Sequence, residues 1–185
     1  MSYLICKSNK DYEKYLKITI ERFKNFINDI DYSSLKVKSK NNNYGEDVSL
    51  IKIDKHSDLD KLIYGVGFYI ILTNYRYKEN ECNFEVSPEG KKVKAIYRGH
   101  CNRLRKRVES HLFNTKYNIN KDNTNFECCM KVIEGQQGID RDDKVYKNYI
   151  FYVIQHKMRN SNISQRECME YAFDEKFNKP YACKD

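Results

Sequence analysis

No run of about 18 apolar residues occurs in this chain, so the sequence predicts no membrane-spanning helix. Its first residues, MSYLICKSNK, have no apolar core of the kind a secretory signal needs. The seven cysteines (Cys6, Cys82, Cys101, Cys128, Cys129, Cys168, Cys183) are odd in number and form no CxxC pair. That argues against both a zinc site and a disulfide framework, so reduced thiols in a cytoplasm are expected. Tryptophan is absent beside sixteen tyrosines and nine phenylalanines, and Asn, Lys and Ile are frequent. An A- and T-rich coding sequence gives such usage, so no single Lys or Asn is informative alone.

At 185 residues the chain is long enough for one domain with a real core, or one domain with an extension. Charged residues make up 32% and apolar ones 40%, the balance of a soluble globular protein rather than a disordered one. The net charge of +8 is compatible with a polyanionic partner.

Residues 10–30 space Tyr12, Tyr15, Leu16, Ile18, Phe23, Phe26 and Ile27 as an amphipathic helix, with Asn9 in position to cap it. Residues 38–47 read as a loop and 57–62 as a short helix. Residues 64–74, YGVGFYIILTN, form the clearest strand. A polar arm over 75–86 and a turn at Pro88-Glu89-Gly90 lead to a returning strand over 92–97, with Gly99 at its exit. Residues 102–113 form a basic helix that Asn102 can cap, and 126–133 a third strand. After a loop over 135–143, residues 145–160 read as a helix with an apolar stripe. A last helix opens at Ser164 and stops before Pro180. The expected fold is α+β, with a small three-stranded antiparallel sheet and flanking helices. It divides into an N-terminal helical extension, 1–60, and a main domain, 61–185.

Two short motifs, Gly67-Phe68-Tyr69 and Tyr97-Arg98-Gly99, precede an arginine eight residues after Gly99 and a histidine four residues later, Arg107 and His111. This pattern resembles the GIY-YIG nuclease family, over roughly residues 65–180. Two departures stand out: GFY replaces GIY, and YRG replaces YIG. The first preserves an apolar strand position. The second places Arg98 off the Tyr97 face, toward solvent or a phosphate. The long interval between the tyrosines resembles the restriction-enzyme branch.

The resemblance implies an endonuclease that hydrolyses DNA to 5′-phosphate and 3′-hydroxyl ends with Mg²⁺ or Mn²⁺. It assigns Tyr69 the role of base, although an ordinary phenol with a pKa of about 10 is a poor one. Tyr97 is to support the attacking water. Arg107 is to clamp the phosphate, which suits a guanidinium fork. His111 is to position a phosphate or share the base role. A late glutamate is to hold the metal. Glu170 precedes the apolar Tyr171-Ala172-Phe173, where an inward carboxylate calls for a cation. Glu167 is the alternate, although a Ser164-x-x-Glu167 capping box gives it a structural use. Asn178 matches a late asparagine that orders the site in that family. Arg98, His100, Arg103, Arg105 and Lys106 are candidate nucleic-acid contacts.

Double-stranded DNA is the expected partner, with a homodimer on a palindromic site and no membrane association. The apolar face of residues 12–27 can supply a dimer interface, although core packing is the commoner use. The alternatives are a catalytically inactive nucleic-acid-binding protein and a mobile-element or repair nuclease.

Overall fold

The computed structural model describes residues 2–40, 46–113, 130–133 and 136–183. The elements, in chain order, are α1 (Ser2–Asp29), β1 (Val48–Lys52), β2 (Gly67–Thr73), β3 (Glu85–Val86), β4 (Val93–Cys101) and α2 (Leu104–Leu112). They continue with β5 (Lys131–Ile133), β6 (Gln136–Gln137), β7 (Phe151–Lys157) and α3 (Ile163–Phe177). Short 3₁₀ segments are also present, including His56–Lys61, where the short helix over 57–62 was expected.

The α+β class holds, but the sheet has five strands rather than three, in the order β1-β7-β2-β4-β3 with every pair antiparallel. The difference comes largely from β7. Residues 145–160 were expected to be a helix, yet Phe151–Lys157 is a strand lying between β1 and β2. Six of its seven residues are buried, so it has no solvent-exposed face. A strand buried on both faces shows no alternation, and periodicity does not tell it from a buried helix. Its β-branched and aromatic residues favour the extended form.

The expected third strand, 126–133, does not join the main sheet. Its residues 126–129 lie outside the described residues, and Lys131–Ile133 pairs with Gln136–Gln137 as a separate ribbon. That ribbon occupies part of the loop expected over 135–143, whose first residue is also outside the described set. Of the loop expected over 38–47, residues 41–45 are likewise outside it.

The N-terminal 60 residues contribute both α1 and the edge strand β1, which pairs with β7 along its whole length. Asn9 is not a cap, because α1 begins at Ser2. Residues 2–9 contain no Gly or Pro to stop the helix.

β2 is the centre of the sheet, and all seven of its residues are buried. Its side chains alternate between two cores. Tyr69 and Ile71 join Tyr97, Leu104, Val108 and Leu112 under α2. Phe68, Ile70 and Leu72 join Ile27, Met169, Ala172 and Phe173 under α1 and α3. Gly67 allows this close packing. A Cβ there would lie 2.6 Å from the His156 carbonyl oxygen and 2.8 Å from a methyl of Leu104.

Among the described residues no helix is long and apolar enough to cross a membrane. Cys82, Cys101, Cys168 and Cys183 are buried free thiols.

Candidate active site

The two motif tyrosines occupy neighbouring strands on the α2 face of the sheet. Tyr69 pairs with Gly99 and Ile71 with Tyr97, so the tyrosines meet diagonally, their ring centroids 6.1 Å apart. Gly99 lies within β4 rather than at its exit. A Cβ on Gly99 would stand 2.8 Å from the Tyr69 hydroxyl and 3.0 Å from a carbon of the Tyr97 ring. Glycine is therefore the residue that leaves room for the phenol.

Helix α2 brings His111 to the same point. Its N-terminus is anchored where the Leu104 amide donates to the Gly65 carbonyl, just ahead of β2. Asn102 is not the cap, since that position falls to Arg103, which makes no capping side-chain hydrogen bond. The His111 Nε2 and the Tyr69 hydroxyl are 2.8 Å apart, and the Tyr97 and His111 ring centroids are 4.6 Å apart. Tyr69, Tyr97 and His111 are all buried.

Burial sets the protonation of this group. It pushes the Tyr69 phenol well above its usual value, reinforced by Tyr97 and Cys101 and opposed by the charge of Arg107. Burial and then Arg107 lower His111 to about 3, so its imidazole is neutral at pH 7. Arg107 is half-buried on α2, and its charge also bears on His100 and Cys101. Tyr69, Tyr97, Arg107 and His111 thus form one cluster, as the i, i+4 spacing of the last two requires.

The other motif residues face α3. Arg98 and His100 alternate off the Tyr97 face and meet Arg166, Glu170 and Asp174, which follow one another at intervals of four on one side of that helix. Arg98 is not turned to solvent. Its Nε and Nη2 donate to the two carboxylate oxygens of Asp174 at 3.0 and 2.6 Å, and its Nη1 donates to Glu170 at 2.8 Å. His100 Nδ1 accepts from the Arg166 Nε at 3.3 Å, and burial lowers its pKa to about 4.

Glu170 reaches the outer edge of β4. Beyond Ala95 this edge has no strand partner among the described residues. Cys183 Sγ takes the Arg98 amide at 3.2 Å, and Glu170 accepts the His100 amide. Burial raises the Glu170 carboxyl to about 7, Asp174 and Glu167 add to the rise, and Arg98 opposes it. The Glu170 charge in turn bears on Tyr69.

Glu167 is exposed, and the capping box expected for it is not formed. The helix begins at Ile163, and Asn162 and Gln165 cap one another's amides at 2.8 and 3.0 Å. Asn178 ends α3 at a positive φ of 62° and donates to the Glu81 carbonyl. On α2, Arg103 and Lys106 are exposed, whereas Arg105 stacks on Tyr64 and pairs with Asp60.

Arg166, Asp174 and Cys183 escaped the sequence analysis. The four-residue spacing of Arg166, Glu170 and Asp174 was a visible sign of a polar helix face; nothing local marks Cys183 as a partner of β4. Among the described residues no group of three or more His, Cys, Asp or Glu side chains is placed to hold a metal ion.

Comparisons of the chain with protein-family models, with curated proteins and with solved structures return no match.

Proposed function

We propose that this protein is a divalent-metal-dependent DNA endonuclease of the GIY-YIG kind, hydrolysing phosphodiester bonds to 5′-phosphate and 3′-hydroxyl ends in the manner of a restriction enzyme. What chiefly supports this is the 2.8 Å contact between the Tyr69 hydroxyl and a neutral His111 imidazole beside Tyr97 and Arg107. A buried phenol cannot act as a free phenolate, because burial disfavours its charged form. With His111 as acceptor it need not. The Tyr69 hydroxyl passes its proton to His111 Nε2 as it takes one from the attacking water, and the imidazolium charge, which burial and Arg107 disfavour, is offset by the negative charge that grows on the phosphate. The water oxygen forms the new bond to phosphorus, the bond to the 3′ oxygen breaks, and that oxygen leaves with a proton from solvent. Arg107 pairs with the charge that grows on the phosphate.

Glu170 suits a hard divalent cation such as Mg²⁺ or Mn²⁺. It is a carboxylate raised to about 7 by burial and by acidic neighbours that Arg98 does not fully offset, so added positive charge there is favourable. Mg²⁺ binds through one or two carboxylates, substrate oxygens and water. Bound there, the cation would supply Lewis-acid stabilisation of phosphate charge. Exposed Arg103 and Lys106 offer contacts to the DNA backbone. Cleavage of both strands of a palindrome calls for two copies of the chain.

The test is incubation of the purified protein with mixed plasmid and phage DNA, with Mg²⁺ or with EDTA, beside Arg107→Ala and Glu170→Ala. Discrete Mg²⁺-dependent fragments lost in both variants are the expected result. Smearing would retain the nuclease and remove the restriction character. Intact DNA that nevertheless shifts on a gel would leave a binding protein.

A further inference from the structure

Glu170 and Asp174 stand one turn apart on α3 and share the guanidinium of Arg98, but they share it unequally. Asp174 takes two of its N–H groups, Nε at 3.0 Å and Nη2 at 2.6 Å, one on each carboxylate oxygen. Glu170 takes one, Nη1 at 2.8 Å, on Oε2. Two parallel bonds fix the plane of a guanidinium as a single bond does not. The orientation of Arg98 is therefore set by Asp174, and Glu170 meets what that orientation leaves.

This division decides how much of Glu170 stays open. A carboxylate has about four lone-pair positions. The Arg98 Nη1 and the His100 amide take two of those on Glu170. Its side chain keeps 19% of its surface exposed, so an ion from solvent can reach it. Without Asp174, the Nε and Nη2 donors of Arg98 lose both acceptors on a side chain only 13% exposed. Buried donors left unmade are costly, and Glu170 is the other carboxylate that bears on Arg98. The fork is then satisfied by turning both prongs onto Glu170, and that closed pair fills the positions a cation would use.

We infer that Asp174 is a positioning residue for the cation site at Glu170: by holding the Arg98 fork, it keeps Arg98 on one oxygen of Glu170 and leaves that carboxylate open to a divalent cation. The inference rests on the metal role proposed above for Glu170 and extends it to the residues behind the ligand. It also gives the arginine at position 98 a use. With an apolar side chain there, Glu170 and Asp174 would face each other uncompensated. With the arginine but no Asp174, the cation would meet a closed ion pair. Partners of this outer kind change metal affinity by about 10–100-fold when they are removed.

The experiment is a titration of the full chain with Mn²⁺, followed by water-proton relaxation without DNA, so it requires no cleavage. Asp174→Asn keeps the volume but offers Arg98 one acceptor instead of two, and it should weaken Mn²⁺ binding by about tenfold or more. Glu167→Gln removes one negative charge that Glu170 also feels, from an exposed side chain of the same helix, and should weaken binding by less than about threefold. The double variant Arg98→Met, Asp174→Ala removes the fork together with its acceptor. It should recover most of the wild-type affinity, and it serves if Asp174→Asn does not fold. Binding lost in Glu170→Gln yet unchanged in Asp174→Asn overturns the role of Asp174. So do equal losses in Asp174→Asn and Glu167→Gln, which would leave charge alone as the cause, and a folded double variant that binds as weakly as Asp174→Asn. Mn²⁺ binding that is absent in wild type, or that survives Glu170→Gln, overturns the metal assignment itself and this inference with it.

Discussion

Tyr69 and Gly99 stand opposite one another on adjacent strands, and a single Cβ on Gly99 would come within 2.8 Å of the Tyr69 hydroxyl. The glycine is thus a condition of the Tyr69–His111 contact, since the phenol lies across the space a side chain would fill. Gly99→Ala must push aside the Tyr69 and Tyr97 rings. Overpacking of this kind costs about 1–3 kcal/mol. Urea denaturation should show that loss, and DNA cleavage should fall with it even where the variant is fully folded. An alanine variant as stable and as active as the parent would mean the rings are not fixed by this contact.

Arg98 is the hub of the α3–β4 contact. Arg98→Leu leaves Glu170 and Asp174 facing each other without their cation. Breaking a buried pair on one side costs about 3 kcal/mol or more, and these side chains are mostly buried. A double-mutant cycle with Asp174→Leu should recover part of the loss, because the second change removes one stranded carboxylate. Strict additivity of the two losses would show that the fork contributes nothing.

Acid should unfold the protein steeply below pH 6.5. Burial lowers His100 to about 4 and both His111 and His156 to about 3, from an ordinary 6.5. The folded chain keeps these rings neutral while the unfolded chain protonates them. Their contribution is therefore complete above pH 6.5 and is lost as pH falls toward 4 and 3. Glu170 acts in the opposite sense. Raised to about 7 from 4.5, it holds its proton in the fold, so stability falls as pH rises across that window. Between pH 6.5 and 4.5, three groups oppose one. A net uptake of two protons on unfolding lowers stability by about 2.7 kcal/mol per pH unit. Urea midpoints from pH 7 to 5 measure the slope, and replacing one of the histidines by Phe should halve it.

Arg103, at the cap of α2, and Lys106, on it, have exposed side chains. Replacing both with Ala should weaken DNA binding at low salt and lower the salt slope by about 2, the number of phosphate contacts removed. The cutting pattern should not change. A change of target preference would place these residues on base edges instead.

The clearest parts of the molecule to read from sequence were local ones. The β2 strand announced itself through YGVGFYIILTN, and the Arg107–His111 face of α2 through a spacing of four. What escaped depended on partners distant in the chain. β7 was read as a helix because a strand buried on both faces has no alternation to show. The cap of α3 was placed on Ser164, where Ser and Glu at the right interval fitted a capping box, while Asn162 and Gln165 fitted one equally and won. Arg98 looked like a surface or phosphate-binding residue, because the carboxylates that enclose it come from a helix more than 70 positions later.

The most direct test of the central claim compares wild type with Tyr69→Phe in the Mg²⁺-dependent conversion of supercoiled plasmid to nicked and linear DNA. Loss of the hydroxyl takes a partner from the buried His111 Nε2 and costs about 1–3 kcal/mol of stability, so the comparison is made on variant protein shown by urea denaturation to be folded. Its cleavage rate should drop by about 10²–10⁴, the contribution of a positioned proton-transfer group. A folded Tyr69→Phe protein that cuts as fast as wild type would contradict the assignment of the Tyr69–His111 pair to catalysis.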